Sequence, residues 1–154
     1  MKVELKTIPV AKGRARASIG IKAGVGKAQR AAIRAATYSH IYTPTKTENY
    51  EKEIAFVVKA FMAQNKIEKL PAGVALKLKV TFYMPMPKSW SEKKKEKMNL
   101  SWHFQKPDAS NLVKALEDAL NDVAYKDDCQ IAWLWVEKKW YTCGGIVFEI
   151  EELK

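Results

Sequence analysis

Cysteine and histidine are scarce in this chain. The two cysteines, Cys129 and Cys143, form no C-x-x-C pair, and His40 and His103 stand alone. That argues against a zinc site and against a disulfide scaffold, and makes a reducing cytoplasmic compartment the expectation. No apolar run approaches membrane-spanning length, and the opening MKVELKTIPVAKGRAR lacks the apolar centre of a secretory signal. A soluble intracellular protein with no membrane partner is therefore expected. Glycines are few as well, and Gly13, Gly20, Gly24 and Gly26 match neither a GxGxxG nor a phosphate-loop pattern. Acids are the deficient charge: 17 Asp and Glu against 27 Lys and Arg leave a formal +10. Such an excess suits a polyanionic partner, nucleic acid before a membrane surface.

What is present is one domain's worth of chain, 154 residues with 47% hydrophobic and 29% charged. Lys2 to Val10 alternates as a short strand that Pro9 ends. A basic Gly- and Ala-rich stretch follows, read as a loop with a short helix near Gln29 to Ala36. TPTKTENYEKEIAFVVKAFMAQNK reads as a helix, with Thr45 and Glu48 at capping-box spacing or Thr47 as the cap, and with Tyr50, Ile54, Val57, Val58 and Phe61 as its apolar stripe. VALKLKVTFYM alternates apolar residues with Lys77, Lys79, Thr81 and Tyr83, the signature of a half-buried strand with a basic outer face. Ser89 and Glu92 suggest a cap for the lysine-rich helix that follows, whose Lys93, Lys94 and Lys95 are either a solvated face or phosphate contacts. NLVKALEDALNDVA lines up Leu112, Leu116, Ala119, Leu120 and Val123 along one side of a helix. IAWLWVEKKWYTCGGIVFEIEE reads as two strands joined by a Gly-Gly turn, a hairpin. Trp133, Trp135 and Trp140 in it are expected in core and interface. The pattern as a whole predicts a single α+β domain: a mixed or antiparallel sheet of about four strands with two to three packed helices.

Against this basic background, KPDASNLVKALEDALNDVAYKDDCQ carries six carboxylates in 25 residues, Lys106 to Gln130. Carboxylates gathered on a basic surface repel one another unless a cation joins them. Mg²⁺ takes oxygen ligands from one or two carboxylates and keeps its waters, and it can polarise a phosphodiester. Lysines that grip phosphate beside acids that hold a metal make up the equipment of a metal-dependent nuclease. Each acid has a plainer reading too. Asp108 or Ser110 can cap the helix, Asp118 can pair with Lys114 at i,i+4, and Asp127-Asp128 can sit in a turn.

The same residues resemble the RusA-like Holliday junction resolvases, small phage and bacterial endodeoxyribonucleases. The family pattern K-P-D-x-D-N-L-x-K, D-A-L-N, D-D-x-Q-I appears here as KPDASNLVK, DALN and DDCQI. PVAKGRAR, YTPTKTENYEKEI and FYMPMPKSWSEKKKEK agree more loosely, so the likeness spans nearly the whole chain and implies one RusA-like domain over residues 1–154. It implies a homodimeric, Mg²⁺-dependent enzyme (Mn²⁺ as an alternative ion) that nicks two strands symmetrically across a four-way DNA junction in a bacterial or phage-infected cell. Carried over residue by residue, it makes Asp108 a metal ligand and Asp127 or Asp128 the late acid, with Asp128 preferred. Lys114 becomes the cation near the phosphate, and Asp118 a ligand, a supporting group or a partner of Lys114. Lys12, Arg14, Arg16, Lys93, Lys94, Lys95 and Lys106 are the expected DNA contacts. Ser110 is the departure, since the family carries a catalytic aspartate there and serine is a poor Mg²⁺ ligand. A variant that recruits another acid such as Asp118, a natural junction-binding protein without catalysis, and an engineered trap all fit that change. A basic RNA-binding protein is the rival from another class.

Overall fold

A computed structural model of the chain describes residues 1–14, 16–19, 39–42 and 44–154. The helix expected near Gln29 to Ala36, and Gly20, Gly24 and Gly26, lie outside the described residues. The elements are strands β1 (Lys2–Leu5), β2 (Arg16–Ile19) and β3 (Ser39–Tyr42), helix α1 (Thr45–Gln64), β4 (Leu76–Pro85), helices α2 (Glu92–Met98) and α3 (Ala109–Leu120), and strands β5 (Ile131–Tyr141) and β6 (Gly145–Glu152). A 3₁₀ turn at Asp128–Gln130 leads into β5. Four strands form a mixed open sheet in the order β1-β6-β4-β5, and β2 pairs with β3 as a separate ribbon. This is the α+β architecture the periodicities predicted.

β4 explains the sheet. Leu76, Leu78, Val80, Phe82 and Met84 are buried on one face, which makes it the most apolar strand and places it at the centre. α1 and α3 cover that face with Tyr50, Ile54, Val58, Leu112, Leu116 and Leu120. Val57, expected in the α1 stripe, is 41% exposed, and Met62 takes up the buried row instead. The hairpin expectation is overturned. β5 runs parallel to β4 from Leu76↔Ile131 to Pro85↔Tyr141, and β6 runs antiparallel along the other edge of β4. A central strand needs partners on both edges, and that tertiary demand separates β5 from β6 despite the Gly-Gly between them. Gly144 has a packing reason: a Cβ there would stand 2.6 Å from the Ile8 Cα.

Two caps also differ from expectation. Pro44 precedes α1 without a side-chain cap, and the Thr47 hydroxyl instead accepts from the Gly13 N–H at 3.2 Å. Ser91, not Ser89, caps α2, accepting from the Lys94 N–H. Among the tryptophans, Trp140 is buried between Trp90 and His103, with ring centroids 4.9 and 4.2 Å away. Trp133 and Trp135 lie on the opposite, helix-free face, stacked 6.1 Å apart and exposed.

Candidate functional site

The site is built on α3 and the segments at its two ends. Helical spacing puts Ser110, Lys114, Glu117 and Asp118 on one face. The opposite face is buried against the sheet and α1, so this row is held outward by the apolar stripe behind it. The Lys114 ammonium reaches Asp118 Oδ1 at 3.2 Å and Asp128 Oδ2 at 2.5 Å. Asp118 Oδ2 in turn meets Lys12 Nζ at 2.6 Å, and Lys12 also holds Glu51 Oε1 of α1 at 2.6 Å. The result is an alternating chain of charges, Asp128–Lys114–Asp118–Lys12–Glu51, drawn from the 3₁₀ turn, α3, the N-terminal segment and α1.

The electrostatics follow that alternation. The bond to Asp128, with the second bond to Asp118, holds the Lys114 ammonium well above its ordinary pKa. Burial pulls the Lys12 ammonium down, but its bonds to Asp118 and Glu51 outweigh burial and leave it raised. Burial raises the half-buried Glu117 carboxyl; Lys114 opposes this, while the nearby charges of Asp128 and Asp118 add to it.

Asp108 occupies the N-cap position of α3, yet its carboxylate makes no capping bond. Only its carbonyl serves the helix, accepting from the Leu112 N–H at 3.2 Å. Asp108 is exposed, as is Ser110, and among the described residues its carboxylate has no hydrogen-bond or ion-pair partner. Lys138, from the helix-side face of β5, fixes the approach to Asp108. Its ammonium donates to the Gln105 carbonyl at 2.7 Å and to the Pro107 carbonyl, tying down both ends of the cis Lys106–Pro107 peptide. Burial lowers the Lys138 pKa, and the charge of Asp108 works against that lowering.

The paired aspartates have separate roles in the fold. Asp127 caps the 3₁₀ turn, its Oδ1 accepting from the Cys129 N–H at 2.9 Å, and these bonds hold its carboxyl below the usual range. Buried Gln130 completes the turn. Its side-chain oxygen accepts from the Lys126 and Asp127 N–H groups, and its amide donates to the Pro71 and Val74 carbonyls. Asp128 is the one of the pair directed at Lys114.

The expected metal set of Asp108, Asp118, Asp127 and Asp128 is not gathered into one cluster: among the described residues, no three or more His, Cys, Asp or Glu side chains stand close enough to hold an ion together. The separation has a cause in the local bonding. Asp127 is spent on the turn, and a lysine lies between Asp118 and Asp128. An all-protein cage does not fit these residues. Mg²⁺ held by one or two carboxylates, with water and substrate phosphate completing its octahedron, does fit them.

The expected DNA-binding cations are spread out. Lys12 is engaged between Glu51 and Asp118, Lys94 lies over the Trp90 ring at 4.3 Å, and Lys95 pairs with Glu92 at 2.6 Å. Arg14, Lys93 and Lys106 are exposed, and Arg16 falls in β2. Glu51, Glu117, Gln130 and Lys138 were not anticipated. Glu117 carried a usable signal, standing seven residues from Ser110 on the same helical face. The others join the site through tertiary contacts that no local pattern announces.

Comparison with known proteins agrees with the motif. Residues 23–151 match the family model for endodeoxyribonuclease RusA. An uncharacterized protein YqaN of Bacillus subtilis (strain 168) is 37% identical over 135 residues, 84% of this chain and 80% of that protein. The crossover junction endodeoxyribonuclease rusA of Lactococcus phage r1t is 32% identical over 114 residues, 73% of this chain and 77% of the phage protein.

Proposed function

The chain belongs to the RusA endodeoxyribonuclease family, and from that premise we propose that it is a Mg²⁺-dependent endonuclease resolving four-way DNA junctions by paired symmetric nicks. In this reading it works as a homodimer in a bacterial or phage-infected cell, with branched DNA as its substrate. One observation carries the reading: Lys114 on α3 joins Asp118 of the same face to Asp128 of the following turn, and Asp108 at the N-terminus of that helix has a carboxylate that makes no capping bond. A lysine bonded to two aspartates on a helix whose N-terminal carboxylate caps nothing is hard to explain as stability alone, because surface pairs contribute only about 0–1 kcal/mol each.

Each side chain has a role. Asp108 and Asp128 would hold the ion, with Asp118 beside them. Bound there, Mg²⁺ or Mn²⁺ would polarise the phosphodiester and lower the pKa of an attacking water. Lys114 stabilises charge on the phosphate once DNA displaces it from its carboxylates. Lys12 orients Asp118 from behind, and Lys138 holds the backbone that presents Asp108. Arg14, Lys93 and Lys106 take phosphates outside the reacting site. Ser110 leaves the site one negative charge short, which weakens its hold on the ion and slows cutting. A second reading, a junction-binding protein without catalysis, is favoured by that one substitution alone.

The test is cleavage of a labelled four-way junction beside a linear duplex of the same sequence, at fixed salt, in Mg²⁺ and in chelator. Junction-selective nicks that need the ion and disappear in Asp128→Asn support the enzyme. Tight junction binding with no cutting at any Mg²⁺ or Mn²⁺ concentration supports the second reading. Equal affinity for duplex, or a preference for RNA, overturns both.

A further inference from the structure

The sheet's two edges are treated differently. β1, on one edge, carries Lys2 and Glu4 on its exposed side, the charges that discourage strand-to-strand pairing. β5, on the other edge, is only half covered. Its C-terminal part is capped by the segment Leu100–His103, through Leu100 N–H to the Trp140 carbonyl, Trp140 N–H to the Ser101 carbonyl and His103 N–H to the Lys138 carbonyl. By the two-residue period of a strand, the same outward-pointing N–H and C=O groups recur at Val136 and Leu134. Among the described residues, nothing bonds to them.

That open stretch is also apolar on both faces. Trp133 is 38% exposed, Leu134 46% and Trp135 48%. Ile131–Val136 contains no charged residue in a chain of net +10. Of the next three charges along the strand, Glu137 and Lys139 pair at 3.0 Å, and Lys138 is turned to the helix-side face, where it bonds the Gln105 and Pro107 carbonyls. On the neighbouring strand, Lys77 is paired with Glu151 at 2.8 Å and lies over the Trp133 ring. Of the cations beside these aromatics, Lys77 and Lys139 are matched by acids, and Lys79, across from Trp135, is the one exposed without an ion pair among the described residues; one such cation is fewer than the basic groove of a nucleic-acid platform. A second copy of a chain with net charge +10 meets no charged residue along Ile131–Val136 itself.

Resting on the homodimer of the proposed function, we infer that two copies pair edge to edge through β5, antiparallel and centred on Leu134, joining the two sheets into one. The geometry is self-complementary, as an isologous two-fold contact must be. Leu134 meets Leu134 of the second copy, and Trp133 lies across from the second copy's Trp135 as a cross-strand aromatic pair. A two-fold axis normal to the sheet keeps both helix layers on the same side. Both α3 faces then look the same way, toward one junction, and the 3₁₀ turn carrying Asp128 flanks the seam on each side.

The test uses the full chain with Cys129→Ser and Cys143→Ser, both exposed thiols, and with Leu134→Cys added. A hydrogen-bonded antiparallel pair brings its Cα atoms to about 5.5 Å, inside disulfide range. Mild oxidation is expected to give a covalent dimer in high yield, while Phe56→Cys on the exposed side of α1 gives none. Separately, Leu134→Pro removes an outward N–H that an edge strand does not need for its own fold. It is expected to keep the native circular dichroism spectrum and raise the dimer dissociation constant on the order of 100-fold in sedimentation. If the parent chain is a dimer and neither change affects it, the β5 seam is wrong and the dimer reading survives. If the parent chain is a monomer at micromolar concentration yet cuts junctions, seam and dimer both fall. Should single-stranded DNA quench Trp133 and Trp135 on a monomeric chain, the edge is a base-stacking platform and the proposal is overturned.

Discussion

Lys138→Met is the sharpest perturbation of the site that leaves its acids untouched. Methionine keeps the stem of Lys138 packed on the helix-side face of β5 and removes only the ammonium. That group donates to two backbone carbonyls, those of Gln105 and Pro107. A hydrogen bond to a charged group is worth about 1.5–3 kcal/mol when dry. Lys138 is half-buried, so water replaces part of each bond, and we take about 1 kcal/mol apiece. The expected loss is about 2 kcal/mol, which for a chain of this size lowers Tm by roughly 4–8 °C in calorimetry. The freed Gln105–Pro107 segment also lets Asp108 drift. A shift of about 1 Å in a reacting group costs on the order of 100-fold, so single-turnover cleavage at 25 °C, where the variant is still folded, should slow by that order while junction affinity stays within about twofold. Lys138→Arg, able to reach at least one carbonyl, should recover part of the rate. A variant with the parent Tm and the parent cleavage rate would refute the positioning argument. A large Tm loss with an unchanged single-turnover rate would reduce Lys138 to a structural strut.

Other expectations follow from the same geometry. Asp127→Ala should cost about 1 kcal/mol as a lost cap, seen by denaturant titration, with cleavage largely kept, whereas Asp128→Asn should abolish cleavage and leave the denaturation midpoint nearly unmoved. Burial, with Lys138 nearby, lowers the His103 pKa in the fold. The unfolded chain therefore binds the proton more readily, so this contribution to stability is full above about pH 6.5 and falls away as the pH drops below that value. His103→Phe should flatten that part of the stability profile. Leu116→Ala, a fully buried truncation in α3, should cost about 2–5 kcal/mol by denaturant titration and weaken every site function with it.

The elements legible in the chain were those with one strong period. β4 announced itself by alternation, since every second side chain meets the core, and α3 by a stripe that fills 3.6-residue spacing. The position of β4 between β5 and β6 was not legible, because strand order depends on which strand most needs two covered edges, and the Gly-Gly between β5 and β6 imitates a turn while Gly144 makes room for Ile8. At the site, the motif named Asp108, Lys114, Asp118 and Asp128 as residues to watch and placed them on one helix and the turn after it. It preferred Asp128 to Asp127 but could not see why the two differ in the fold: Asp127 caps the turn that Gln130 closes by reaching back to Pro71 and Val74, and Asp128 is left to meet Lys114. Nor could it see that Lys12 is committed to Asp118 and Glu51, a meeting of three segments distant in sequence.

The most direct measurement is paired-strand cleavage of a synthetic four-way junction by this chain beside its Ser110→Asp variant, across a Mg²⁺ titration. The account predicts symmetric nicks from both proteins, with the variant saturating at lower Mg²⁺ and cutting at least about tenfold faster, the equivalent of about 1.4 kcal/mol of barrier. Absence of cutting by both, with no preference for the junction over duplex, would contradict it.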